Sequence, residues 1–185
     1  MAAPLPVAFL AGSSGPWQID RIESVIGEGL APADRLTMVE GPADFTAPTA
    51  WTLRGTTGNA RYANRSELTA MAARQEGLER PTATLAALIP IRKTAAWWDL
   101  AQDERRAIFE ERSGHVALSL NYLPAIARRL HHSREMGEPF DFLTWFEYAP
   151  DHKAAFEDLV GGLRRTEEWT YVDREVDIRL TRTVG

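Results

Sequence analysis

Two alternating segments, AIARRLHH (125–132) and FDFLTWFEY (140–148), joined across a Gly-Glu-Pro turn, constrain the fold of this chain more than any other feature. Successive side chains on a strand point to opposite faces. In the first segment Ile126, Arg128, Leu130 and His132 therefore share one face, and Ala127, Arg129 and His131 the other. In the second, Phe140, Phe142, Thr144, Phe146 and Tyr148 lie together. A turn between two such runs predicts an antiparallel hairpin. Upstream, TATLAALIPIRK (82–93) is an apolar run of buried-strand length. Residues 102–121 then turn helical, with Ile108, Arg112, His115 and Ser119 on one stripe beside Phe109 and Val116, and Pro124 closes the segment. Downstream, Phe156, Leu159, Val160 and Leu163 mark a helix, and WTYVDREVDIRLTR (169–182) reads as a β-rich strand. From residue 83 the order is β-α-β-β-α-β, the ferredoxin-like unit.

The earlier part of the chain is less regular. PVAFLAG (6–12) and RLTMVEG (35–41) predict short strands around a less determined segment, WQIDRIESVIGEGL (17–30). WTLRGTTG (51–58) alternates as a strand, and NRSELTAMAARQEG (64–77) follows as a helix. There Asn64 and Glu67 have capping-box spacing, and Gly77 is placed to stop the helix. A shorter version of the same theme, Trp51 to Lys93, thus precedes the ferredoxin-like unit, and no linker separates the two. Both are expected in one sheet or barrel.

Composition narrows the chemistry. At 185 residues and 44% hydrophobic content the chain can bury a core. Its net charge of -5 and its lack of any long Lys/Arg run argue against nucleic acid as a partner. No apolar run is long enough to span a membrane, and MAAPLPVAFLAG has no basic stretch ahead of its apolar residues, so a cytoplasmic protein is expected. With no cysteine, disulfides, thiolate nucleophiles, thiolate zinc, iron–sulfur clusters and covalently attached haem are all excluded. A metal must be held by His, Asp or Glu, or arrive inside a cofactor.

The four histidines, at 115, 131, 132 and 152, form no metal-binding spacing. His131 and His132 cannot both grip one ion, because neighbours on a strand point apart; they read as polar residues at a sheet edge. His115 sits on a helical stripe that should be buried, either as a core histidine bonded to a neighbour or as a ligand. Arg128 shares its strand face with Ile126 and Leu130. A guanidinium there stays charged, and needs either an ion-pair partner or an anionic ligand.

Four segments, GNARYANRSEL, LIPIRKTAAWW, RSGHVALSLNYLPAIARRLHHSREMGEPFDFLTWFEY and RTEEWTYVDREVDIRL, resemble the chlorite dismutase family, in particular its short form. The resemblance covers about residues 50 to 182, in order. It implies an α+β fold of two ferredoxin-like halves forming a dimeric α+β barrel, with a truncated N-terminal half (1–82) and a haem-binding C-terminal half (83–185). It implies one haem b per subunit, chlorite as substrate, chloride and molecular oxygen as products, and a homodimer.

Residue by residue, the resemblance makes His115 the iron ligand and Glu168, or else Glu167, the carboxylate that holds its second ring nitrogen. Arg128 becomes the arginine on the opposite side of the haem, with Gln75 able to hydrogen-bond it and Arg129 pointing away. Leu130, Thr144 and Phe146 would wall that pocket, and Asn59, Tyr62, Lys93 and Trp97 would lie near the haem propionates. The expected distal face carries no Asp, Glu or His, which speaks against acid–base chemistry on peroxide. Coproheme decarboxylase, on the same fold, generally lacks the arginine. A non-catalytic haem carrier and a cofactor-free barrel are the readings from other classes.

Overall fold

The computed structural model describes residues 4–42, 48–58 and 61–183. Among the described residues, eight strands form one closed antiparallel barrel: β1 (Pro6–Gly12), β2 (Trp17–Ile26), β3 (Arg35–Glu40), β4 (Trp51–Thr57), β5 (Leu85–Lys93), β6 (Ile126–His132), β7 (Phe142–Tyr148) and β8 (Val172–Arg182), in the order β1-β3-β2-β8-β5-β7-β6-β4. The last four strands lie β8-β5-β7-β6, which is the ferredoxin-like order. The first four lie β4-β1-β3-β2, the same order again. β1 and β2 are both antiparallel to β3 and hence parallel to one another, yet residues 13–16 suffice to join them. A parallel pair normally needs a crossover of a dozen residues. Here β2 starts where β1 stops, since Ala11 and Trp17 both pair with Leu36, so the chain steps over the end of β3 without a helix.

Alternation divides the apolar residues between two clusters. Phe9, Trp17, Leu36, Leu53, Leu88, Trp145 and Ile178 come from seven different strands and fill the barrel. Ile89, Ile91, Ile126, Phe142, Phe146 and Tyr148 face outward and are covered by Phe156, Leu159, Val160 and Leu163 of a helix at Lys153–Arg164. The helix expected from residue 64 runs Arg65–Arg74 and is labelled α1. Its capping box is formed, with Asn64 Oδ1 accepting from Glu67 N at 3.0 Å and Glu67 Oε2 accepting from Asn64 N at 2.8 Å. It ends at Gln75, ahead of Gly77.

Other expectations need correction. Residues 102–121 are not one helix. Two short helices, α2 (Ala95–Asp99) and α3 (Gln102–Arg106), lead into a π-helical turn at Ala107–Arg112, and α4 (His115–Leu120) follows after Gly114, whose φ is 60°. The wider turn and the left-handed residue shift the helical phase. Ile108, Val116 and Ser119 stay buried, but Arg112 swings onto the surface and pairs with Glu167 at 2.9 Å. The helix at Lys153–Arg164 is α5. Phe140 precedes β7, so it packs with the barrel interior and not with Phe142 and Phe146. His131 and His132 are buried, because a closed barrel leaves β6 flanked by β4 and β7 with no edge.

Candidate active site

A cavity of about 630 Å³ opens on the outer face of β5, β6 and β7, between that sheet and α1, α4 and α5. Its floor is apolar: Ile89 and Ile91 from β5, Leu130 from β6, and Phe146 from β7 beside Thr144. Register sets this wall, since Arg128 pairs across the hairpin with Phe146, and Leu130 with Thr144. The face assigned from alternation is the face that lines the cavity. His132 lies on it too, accepting a hydrogen bond from Arg61 Nε at 3.3 Å, so the lining does include a histidine.

One side of the cavity is built around His115, the first residue of α4. Its Nδ1 lies 2.6 Å from Glu168 Oε2. The second carboxylate oxygen, Oε1, accepts from Lys93 Nζ at 2.7 Å, and the Glu168 amide donates to Ser113 Oγ at 2.9 Å. Glu168 and Lys93 are both buried. Burial alone would raise the Glu168 carboxyl, but the pull of His115 and Lys93 and the hydrogen bonds they donate outweigh it and hold the group down at about 2. The carboxylate is therefore an anion, and it accepts the imidazole Nδ1–H. In a neutral imidazole, the form that binds a metal, a proton held on Nδ1 leaves the lone pair on Nε2. Phe109 stacks on the ring at 4.4 Å and fixes its plane. Glu167, the alternative partner, is turned outward to Arg112. Lys93 belongs to this buried network; its ammonium also sits 4.5 Å over the Trp97 ring.

The other side is built around Arg128. Its Nη2 donates to Met71 Sδ at 3.2 Å, and its buried Nε has no partner. Among the described residues no carboxylate lies within ion-pair distance of it. Burial lowers its pKa, yet arginine does not deprotonate in proteins, so a cation is held against apolar walls without a counter-ion. An ordinary ion pair was one explanation of this residue, and the geometry removes it. Gln75 reaches Arg128 as well, but its Nε2 donates to the backbone carbonyl at 2.9 Å and not to the guanidinium. Arg129 turns to the opposite face, where it pairs with Glu40 at 2.6 Å and donates to His131 Nε2 at 3.0 Å.

Of the remaining expected residues, Tyr62 lines the cavity, and Trp97 lies edge-on behind it at 5.6 Å. Asn59 falls outside the described residues. Tyr62 Oη and Trp97 Nε1 are buried and unpaired, like Arg128 Nε. Unpaired buried donors are costly unless a ligand meets them. Among the described residues no group of three or more His, Asp or Glu is gathered to hold a metal by itself. One histidine with an anchored Nδ1, a large apolar cavity and orphaned donors at its border together suit a porphyrin whose iron takes a single protein ligand.

The match of the chlorite dismutase family model over residues 35–184 decides the relationship. The chain belongs to the chlorite dismutase family. A dimeric chlorite dismutase from Nitrobacter winogradskyi is 58% identical, with a TM-score of 0.88 over 95% of this chain and 99% of that one. A mutant chlorite dismutase from Candidatus Nitrospira defluvii is 19% identical with a TM-score of 0.69 over 97% and 92% of the two chains, and shows the likeness of fold alone. Chlorite dismutase from Ideonella dechloratans is 33% identical over 84 residues, which is 45% of this chain and 27% of that protein.

Within this family member several cavity residues were not singled out by sequence. Met71 lies four residues before Gln75 on α1, the same helical face, and that spacing was the available signal. Arg61 sits inside one of the segments that carry the family likeness but has no pattern of its own.

Proposed function

We propose that this protein is a haem b chlorite dismutase, an oxidoreductase that converts chlorite to chloride and molecular oxygen. The unpaired cation of Arg128, aimed into the cavity that His115 borders, is the observation that carries the reading. In this reading His115 holds the iron through Nε2. Tyr62, Trp97 and Asn59 would border the haem edge. Haem b, when bound, supplies the redox-active iron at which the two oxygen atoms of one chlorite become O₂ while chlorine leaves as chloride.

The chain's own residues divide the remaining work. Glu168 takes the Nδ1–H bond and makes His115 a more basic ligand, which favours the ferric state. Lys93 neutralises that carboxylate, so the anion is tolerated inside the protein. Arg128 would offer charge and N–H donors to chlorite and would keep oxidised chlorine species derived from it within the cavity. Leu130, Thr144 and Phe146 limit water and the escape of oxidant. Gln75 ties α1 to the strand that carries Arg128 through the Arg128 carbonyl.

Coproheme decarboxylation is disfavoured by the same arginine. The reading extends to a homodimer, supported by the dimeric Nitrobacter relative, and to two ferredoxin-like halves, 1–82 and 83–185, supported by the repeated strand order. Among the described residues no helix lies between β1 and β2, consistent with a truncated first half. An oxygen electrode tests the function directly. Haem-loaded protein should release one O₂ and one chloride per chlorite added; a loaded protein that consumes no chlorite and releases no oxygen would reject it.

A further inference from the structure

Resting on the reading that His115 holds the haem iron, we infer that Glu110 is a positioning residue that fixes this ligand through its helix. The first N–H groups of a helix have no partner within it, and a side chain at the N-cap usually supplies one. At α4 the N-cap is Gly114, which has no side chain and a left-handed backbone. Glu110 fills the gap from the preceding π-helical turn. Its Oε2 accepts from Val116 N at 2.6 Å and its Oε1 from Ala117 N at 3.2 Å, while its own carbonyl accepts from Gly114 N at 2.8 Å. One residue thus holds the chain on both sides of His115, with a negative charge at a helix N-terminus where it is favourable.

The neighbouring residue completes the clamp. Phe109 stacks on the imidazole at 4.4 Å, so consecutive residues of the π-helical turn set the ring plane and the backbone from which the ring projects. The same turn is tied to Glu168, because Ser113 N bonds Ile108 O and Ser113 Oγ accepts the Glu168 amide. A continuous α-helix could not do this. Its Val116 and Ala117 amides would bond backbone carbonyls one turn back, leaving no place for the Glu110 carboxylate. The break at Gly114 gives up that ladder, and Glu110 replaces it at the one helix whose first residue bears the Nε2 lone pair. Supporting residues of this kind change metal affinity when lost, by 10–100-fold in well-studied sites.

The test uses the haem-loaded protein, with resonance Raman of the ferrous iron–histidine stretch and the rate of haem transfer to apomyoglobin as readouts. Glu110→Ala should broaden or shift the iron–histidine band and speed haem loss about tenfold. Glu110→Gln keeps a neutral carbonyl that still accepts one amide, and should fall between Ala and the parent. A cap that serves the fold alone would lower the melting temperature and leave the band where it is. The inference is overturned if Glu110→Ala, or Glu110→Gln where the alanine variant does not fold, keeps the parent band position and width and loses haem within twofold of the parent rate. Failure of the ligand reading is separately visible, since His115→Ala would then retain the iron–histidine band and remove the basis of the inference.

Discussion

Glu168 has two oxygens and two partners, and each partner serves a different purpose. In the proposed reading its bond to His115 tunes the iron ligand, and its bond to Lys93 makes the buried charge tolerable. Glu168→Gln should therefore do two separable things. The iron reduction potential should rise, because a neutral amide is a poorer acceptor for the imidazole N–H; spectroelectrochemistry reads this. The apoprotein should lose about 3–5 kcal/mol, because the Lys93 ammonium is left buried without its carboxylate; a denaturant melt reads that. Glu167→Gln touches only the exposed pair with Arg112 and should change neither by a measurable amount. The family resemblance placed a glutamate just before the last strand and favoured 168 over 167, but residue pattern alone does not separate them, since both sit in one 3₁₀ turn whose phase is set by tertiary contacts. Arg128 was legible as a charged residue on an apolar strand face. Its lack of an acidic partner was not, because partners come from distant segments that no local pattern specifies.

Strand β6 shows what period-2 reasoning captures and where it stops. Alternation placed Arg128, Leu130 and His132 on one face and Arg129 and His131 on the other; Arg128, Leu130 and His132 line the cavity, and although Arg129 also borders it, its guanidinium bonds Glu40 and His131 on the far side. Alternation could not say that β4 would pair with the far side of β6 and bury both histidines. His131 donates through Nδ1 to Leu143 O at 2.9 Å, accepts from Arg129 at Nε2, and meets Phe9 edge-on at 5.2 Å. Burial first, then the charges of Arg129 and His132, hold its pKa down at about 4, against the raising effects of Leu143 O and Glu40. The folded protein thus resists a proton that the unfolded chain takes up near pH 6.5. Stability is full above that pH and falls as pH drops toward 4, by up to about 3 kcal/mol. Urea midpoints at pH 7.5 and 5 should show the loss, and His131→Gln, which bonds without titrating, should reduce it. The strand missed as certain, β2, has register shifts between Ile19 and Arg21 and between Ser24 and Ile26, which erase the alternation that sequence reasoning relies on. The segment 102–121 failed in the other direction: one helical period fitted it well enough to hide the break at Gly114 that sets His115 in place.

At the scale of the whole molecule, barrel closure brings the first half of the chain against the site. The β4–β6 seam is short, with Thr56 paired to His132 and Thr57 to His131. Gly55 lies at this seam with no room for a side chain: a Cβ there would stand 2.9 Å from His131 Cβ and 3.2 Å from His132 O. Gly55→Ala should cost about 1–3 kcal/mol and speed amide exchange along β6, as hydrogen–deuterium exchange would show. A chain of net charge -5 still keeps one cation clear of its carboxylates. Among the described residues no carboxylate pairs with the Arg128 guanidinium, which is left within a mostly apolar enclosure. Arg128→Ala tests this account most directly, with oxygen release per haem, chlorination of an added monochlorodimedone trap, and melting temperature measured on one preparation. The account predicts a variant that melts at or above the parent, because no ion pair is broken, and that turns over chlorite at least tenfold more slowly with increased chlorination of the trap. A variant that melts well below the parent, keeps the parent turnover per haem and chlorinates no more trap would contradict it.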